Sequence, residues 1–224
     1  MAFLVVDSIS KRFGQTQALD DVSVSFERGE VHALMGENGA GKSTLGKAIA
    51  GLHRPDRGTI TLEGAPLATG SIDDAFEAGV RIVHQELAQC PNLSVAENLC
   101  LHALPTGGFG ILDRAAMRDR ARDLLRRLDP DIDVEAPLGS LPPGRRQICQ
   151  IASALDDARS TPRVIVFDEP TSSLSLAETE RLLQITRRLA DDGITVIYVS
   201  HRMAEIFAAC DRVSVLRDGR FVAT

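Results

Sequence analysis

Apolar positions along this 224-residue chain follow two rhythms. In "FLVVDS" (3–8) and "VSVSFE" (22–27) they cluster or alternate with polar neighbours, Val22, Val24 and Phe26 keeping a period of two, which predicts β-strands. "VHALMG" (31–36), "RVIVFDE" (163–169) and "GITVIYVS" (193–200) are short, nearly unbroken apolar runs, the pattern of strands buried on both faces. "GTITLEG" (58–64) and "GVRIVHQ" (79–85) predict two more strands, and "RVSVLRDGRFV" (212–222) predicts a hairpin turning at Asp218-Gly219. Elsewhere the period lengthens to that of a helix, in "KSTLGKAIAGL" (42–52) and "LAETERLLQITRRLA" (176–190). Residues from about 87 to 157 hold most of the helical signal, including "DRAAMRDRARDLLRRL" (113–128), where Ala116, Leu124 and Leu128 are expected on one side. "ALPTGGFG" (103–110), with its proline and glycines, predicts a loop.

Short apolar strands alternating with helices predict an α/β fold with a mainly parallel sheet. The expected organisation is one domain: a core of 1–86 and 158–224, interrupted by a helical subdomain of about 87–157. No apolar run approaches the roughly 18 residues of a membrane-spanning helix, and "MAFLVVDSISKRF" lacks the pattern of a secretory signal. A net charge of -6 disfavours nucleic acid as the main partner, because phosphate contacts need clustered Lys and Arg. The Arg-rich stretch 114–127, with Asp113 before it, interleaves Asp119 and Asp123 and is expected to be a solvated, mixed-charge helix face, the alternative being a docking surface. Cys90, Cys100, Cys149 and Cys210 show no CxxC spacing, so buried, reduced thiols in a cytosolic protein are expected rather than a zinc site.

The chemistry is concentrated in a few short segments. "GENGAGKS" (36–43) fits G-x-x-x-x-G-K-[ST], after a predicted strand and opening a predicted helix. In such a loop Gly36, Glu37, Asn38, Gly39, Ala40 and Gly41 turn backbone N–H groups toward phosphate oxygens. The helix dipole adds to that field, Lys42 reaches the β and γ phosphates, and Ser43 ligates Mg²⁺, with Thr44 following in the first turn. "VIVFDEP" (164–170) places Asp168 and Glu169 at the end of a buried strand. Asp168 is suited to holding Mg²⁺ through water, and Glu169 to polarising an attacking water as general base. An acidic strand end before a Pro turn is commonplace by itself; the loop upstream gives it meaning. Gln85 in "RIVHQE" and His201 in "VIYVSHR" end two further predicted strands. Parallel strands deliver their carboxyl ends to one edge, so Gln85, a candidate for Mg²⁺ or its water, and His201 are expected beside the loop. These residues together predict a Mg²⁺-dependent ATPase.

With "GENGAGKST", "HQE", "LPPGRRQ", "VFDEPTSSLS" and "VSHR" in place, the chain resembles an ATP-binding cassette (ABC) ATPase over essentially its whole length. The resemblance implies a P-loop NTPase fold: a RecA-like core, an N-terminal antiparallel β-subdomain and an inserted α-helical subdomain. It implies that Phe13, in "KRFGQTQAL", stacks on adenine, packing being the plainer reading. "GENGAGKSTLGKAIAGLHRPDRGTI", "RIVHQELAQCPNLSVAENLCL" and "GILDRAAMRDRARDLL" look like the ATPases of ribose, galactose and xylose importers, which commonly carry two cassettes in one polypeptide; this chain resembles the first. The implied partners are a second cassette, a membrane permease docked near Gln85 and the helical block, and indirectly a solute-binding protein. The implied location is peripheral, on the cytoplasmic face of the cell membrane.

Two departures from the family pattern stand out. Where the family's signature commonly reads L-S-G-G-Q, this chain reads Leu141, Pro142, Pro143, Gly144, Arg145. Pro142 has neither hydroxyl nor N–H to offer a phosphate, although proline suits a helix's first turn. In "TSSLS", Ser175 replaces the family's usual aspartate. The expectation is asymmetry: a site built on this chain's loop and a partner's signature hydrolyses ATP, while the site using "LPPGR" holds nucleotide weakly or without turnover, unless the charge of Arg145 compensates. Competing readings are a nonhydrolytic, nucleotide-gated dimerisation module, which Glu169 argues against, and a cytosolic cassette acting on DNA or ribosomes, for which the chain lacks a coiled-coil insertion or basic linker.

Overall fold

The computed structural model of the chain describes residues 2–84, 89–107 and 110–224. Its elements run β1 (Leu4–Phe13), β2 (Thr16–Phe26), β3 (Val31–Met35), α1 (Lys42–Ile49), β4 (Arg57–Leu62), β5 (Ala65–Pro66), α2 (Ile72–Glu77) and β6 (Val80–Val83). Then come α3 (Val95–Leu99), α4 (Arg114–Leu125), α5 (Pro143–Ala154), β7 (Val164–Asp168), α6 (Leu176–Asp191), β8 (Thr195–Val199), α7 (Met203–Ala209), β9 (Arg212–Arg217) and β10 (Arg220–Ala223). They divide into two units, one of Met1–Gln85, Pro162–Pro170 and Leu183–Thr224, the other of Glu86–Thr161 and Thr171–Leu182.

The first unit holds both sheets. An antiparallel sheet is ordered β2-β1-β4-β5, and a six-stranded sheet is ordered β10-β9-β3-β8-β7-β6. In the second, β9, β3, β8, β7 and β6 are parallel, and β10 returns antiparallel on β9. Every residue of β7 and β8 is buried, as the unbroken apolar runs require of strands covered on both faces. Leu45 and Ile49 of α1 share one buried cluster with Leu4, Ile60, Val166 and Val199, so this helix is clamped into the core by both sheets. The β9–β10 hairpin turns at Asp218-Gly219 with φ of 50° and 75°, the paired positive values that two-residue hairpins favour.

Strands β1 and β2 are longer than the apolar runs that predict them. Their pairing shifts register between Val6 and Ile9 and twice more before Arg12, while Ser8 and Asp21 take φ of 53° and 54°. Each irregularity resets the period of two, which hides the polar halves of both strands from a pattern search.

In the second unit α3, α4 and α5 pack on one another around Leu99, Ala121, Leu125, Ile151 and Ala152. The buried stripe of α4 is Met117, Ala121 and Leu125, not the expected Ala116, Leu124 and Leu128. The expected line runs through Arg120, whereas 117, 121 and 125 are all apolar at a spacing of four. Arg120 instead pairs with the buried Asp156, while Arg118, Arg122 and Arg126 make exposed pairs with Glu135, Asp119 and Asp123. Residues 158–161 and 171–182 group with this unit rather than with the core as expected. The start of α6 is tied there by Arg181, which donates to the Leu128 carbonyl and faces Asp129. Among the cysteines Cys100 and Cys149 are buried, but Cys90 is exposed, against expectation.

Leu125 is 1% exposed, so Leu125→Ala should cost about 2–5 kcal/mol in urea unfolding. Ala116→Ser, on the face the structure leaves in solvent, should stay within about 0.5 kcal/mol of the parent.

Candidate functional site

The glycine-rich loop leaves β3 at Gly36 and becomes α1 at Lys42. Its path is narrow. A Cβ on Gly36 would lie 2.3 Å from the Leu216 carbonyl oxygen, and one on Gly41, the N-cap of α1 at φ 97°, 2.5 Å from the Ala18 oxygen. The Ala40 N–H donates to the Glu37 carbonyl (3.1 Å), closing the turn, and the Gly219 N–H donates to the Ala40 carbonyl (3.2 Å). The hairpin tip therefore braces the loop, and the Gly219 carbonyl in turn accepts from the Asp20 N–H at 2.7 Å. Glu37, Asn38 and Gly39 are exposed, Ala40 is buried, and Ser43 and Thr44 are half-buried. Lys42, only 5% exposed, donates to the carbonyls of Gly36 (2.9 Å) and Glu37 (3.0 Å), which keeps an ammonium group at the loop.

Asp168 ends β7, almost wholly buried, where a lone carboxylate would be costly. It is compensated by the Ser43 hydroxyl, which donates to Oδ1 at 2.6 Å, and by Lys47 Nζ, 3.8 Å from Oδ2. Glu169 comes next with φ 49°, a left-handed conformation unusual for a glutamate, and its N–H donates to the Val199 carbonyl at 3.1 Å. His201 Nδ1 lies 3.4 Å from Glu169 Oε1. Thus the first unit brings Lys42, Ser43, Asp168, Glu169 and His201 to one edge of the parallel sheet. Gln85 lies outside the described residues; its neighbour His84 is held below the usual imidazole range, chiefly by burial. Phe13 ends β1 with 44% of its surface exposed, edge-on to His53 at 5.1 Å between ring centres. Lys11 Nζ stands over the Phe13 ring, 5.3 Å from its centre.

In the second unit α5 begins with Pro142 as N-cap and Pro143 in its first turn. Neither carries an N–H. The next residue, Gly144, donates its N–H to Glu178 Oε1 at 3.1 Å. The other Glu178 oxygen, Oε2, accepts from the Ser175 N–H (2.9 Å) and hydroxyl (2.7 Å), and Ser175 Oγ accepts the Glu178 N–H at 3.4 Å. One carboxylate therefore caps the starts of two helices, and the Ser175 hydroxyl above all holds it below the usual range. Arg145 Nε and Arg181 Nη1 each lie 3.3 Å from Oδ2 of the buried Asp129, close enough for ionic attraction but without an aligned hydrogen bond.

The family profile for ABC transporter matches residues 19–172. The chain belongs to the ABC transporter family. It is 50% identical over its whole length to an arabinose import ATP-binding protein of Burkholderia ambifaria, and 49% identical over 215 residues to a ribose import ATP-binding protein of Chromobacterium violaceum. It spans 42% of the length of each. In three dimensions it is similar to a nucleotide-free ATP-binding cassette from an ABC transporter, with a TM-score of 0.88 at 25% identity, covering 100% of this chain and 90% of the other. The cbiO1 protein from Clostridium perfringens, part of the ABC transporter complex cbiONQ, gives a TM-score of 0.82 at 26% identity, covering 99% and 87%. The cassette fold is thereby established, with its antiparallel sheet, P-loop core and helical unit.

Gly144, which follows the two prolines, and Ser175, one of the two departures noted in the sequence, meet at one group: both bind Glu178. Sequence reading missed Glu178, although Ser175-x-x-Glu178 is the pattern of a capping box and could have found it. It also missed Glu205 in α7, a short helix that left no periodic trace.

Glu178→Ala should lose about 1–2 kcal/mol, the worth of a helix cap. Because the folded-state pKa of Glu178 lies below its ordinary 4.5, the charge contributes fully above about pH 4.5 and is lost as pH falls through the lower folded value. The stability gap between parent and variant, read from urea melts at several pH values, should shrink in that acid window.

Proposed function

We propose that residues 1–224 act as one cassette that binds ATP on the glycine-rich loop and hydrolyses it to drive import of a monosaccharide. The observation carrying this reading is the convergence of Lys42, the Ser43–Asp168 pair (2.6 Å) and the Glu169–His201 pair (3.4 Å) at one sheet edge. Loop N–H groups and Lys42 receive the phosphates, Phe13 stacks on the adenine, Glu169 orients water for in-line attack, and His201 faces the terminal phosphate.

A hydroxyl and a carboxylate side by side are hard oxygen donors, the set that suits Mg²⁺, which takes few protein ligands and completes its shell with phosphate and water. Ser43 would hold it directly and Asp168 through water, Gln85 being the further candidate. Bound there, the ion neutralises charge on the β and γ phosphates.

The sugar class is taken from the names of the arabinose and ribose import relatives; the partners proposed with it, a second cassette, a membrane permease and, through it, a solute-binding protein, are those the ABC resemblance implies. No helix among the described residues is long and apolar enough to cross a membrane, which accords with a peripheral cassette carried by the permease on the cytoplasmic face. Nucleic acid is not among the partners proposed for a chain of net charge -6.

The signature side is proposed to hold nucleotide weakly or without turnover. At the start of α5 the N-cap Pro142 and the first residue Pro143 lack an N–H, and the N–H of Gly144 already serves Glu178, whose negative charge opposes an incoming phosphate. Arg145 cannot simply replace what is lost, because its guanidinium faces Asp129. The site that pairs this chain's loop with a partner's signature would then be the one that turns over.

Lys42→Ala should abolish ATP binding in a fluorescent-analogue titration. Glu169→Gln should retain binding and lose turnover by about 10²-fold or more. Single-turnover measurements on the intact transporter should find one hydrolysing site per pair of cassettes; equal hydrolysis at both would refute the asymmetry.

A further inference from the structure

Glu205 is 4% exposed and lies in the first turn of α7, outside every role assigned above. Burying a carboxylate is expensive unless donors surround it, and an apolar side chain would fill the same space at lower cost. Three donors on this one come from a single short stretch of chain. Oε2 accepts from the Tyr198 hydroxyl (3.0 Å) and the Ser200 hydroxyl (3.0 Å), and Oε1 faces Arg202 Nη1 at 3.3 Å. The stretch is tied a second time through its backbone: the Arg202 N–H donates to Ser200 Oγ (3.0 Å), and the Glu205 N–H donates to the Arg202 carbonyl (3.2 Å).

Ser200 and Arg202 are the two chain neighbours of His201. Both are fastened to one buried carboxylate, while the half-exposed imidazole between them faces Glu169. On the opposite side, the Glu169 N–H is bound to the carbonyl of Val199, just ahead of the same turn. The His201–Glu169 separation is therefore set by two anchors, one of which is Glu205.

We infer that Glu205 is a positioning residue for ATP hydrolysis, its carboxylate locking the turn 200–202 so that His201 meets Glu169 and the terminal phosphate. This rests on the ATPase reading proposed above. A side chain that only supported the fold would, when replaced, reduce affinity, stability and rate together. A positioning residue moves the rate alone, because the loop that binds the phosphates lies elsewhere.

The test is Glu205→Gln in the full chain, alone and within its transporter. The expected result is ATP-analogue affinity and KM within about twofold of the parent, kcat lowered on the order of 10-fold, and partial recovery in Glu205→Asp. Tyr198→Phe and Ser200→Ala each remove one tether while leaving the carboxylate, and should lower kcat a few-fold even if Glu205→Gln folds poorly. The imidazole NMR signals of His201, assigned by their loss in His201→Asn, should shift in the Glu205, Tyr198 and Ser200 variants without any nucleotide present. If Glu169→Gln leaves the rate of the same preparation unchanged, the ATPase reading fails, and the His201 signals still judge the anchor. Unmoved His201 signals in all three variants, or affinity and kcat falling in parallel, would overturn the inference.

Discussion

A hydroxyl on the first turn of α1 and a carboxylate at the end of β7 share one short hydrogen bond, Ser43 to Asp168. The bond is possible only because α1 lies against both sheets with Leu45 and Ile49 buried, which fixes where its amino end emerges. Asp168 needs that partner in turn, since a carboxylate so removed from water is tolerable only with donors at hand. Parallel pairing then does the rest: β3, β7 and β8 run the same way, so the segments leaving their carboxyl ends emerge at a common edge. The glycine-rich loop, the acidic pair and His201 are neighbours for that topological reason.

The parts of the site legible in sequence are those whose chemistry demands adjacent residues. A phosphate cradle needs consecutive N–H groups followed by a lysine and a hydroxyl, so residues 36–43 announce it; likewise Asp168 and Glu169 end one apolar run. The parallel strands were legible for a related reason, burial on both faces leaving no polar interruption. What escaped were features depending on a second segment. The inner face of α4 runs through Met117, Ala121 and Leu125, while Arg120 on the neighbouring line meets Asp156, 36 residues away, a pairing that no local pattern announces. The bulged halves of β1 and β2 were hidden because each register shift reverses the inside and outside of the strand. Glu205 was invisible because its meaning lies in the residues it reaches, not in its own neighbours.

The start of α5 shows how an unusual sequence is capped locally. Two prolines remove the need for two hydrogen-bond acceptors at the start of α5, and Glu178 supplies one for Gly144. A Cβ on Gly144 would meet the Glu178 side chain first, so a larger residue there would displace the cap rather than the backbone. The helix start is thus capped by groups of this chain itself, chiefly Glu178. Structural satisfaction and the capacity to bind an anion compete here for the same few donors.

The hairpin tip at Gly219 touches the loop through Ala40 and the first sheet through Asp20. Segments far apart in sequence thereby lean on the loop between them. During synthesis, the stretch 36–43 leaves the ribosome long before position 219 does, so it waits without its brace while the intervening strands and helices are made. A nascent chain thus completes the hydrogen bonds around this loop only once the hairpin has emerged.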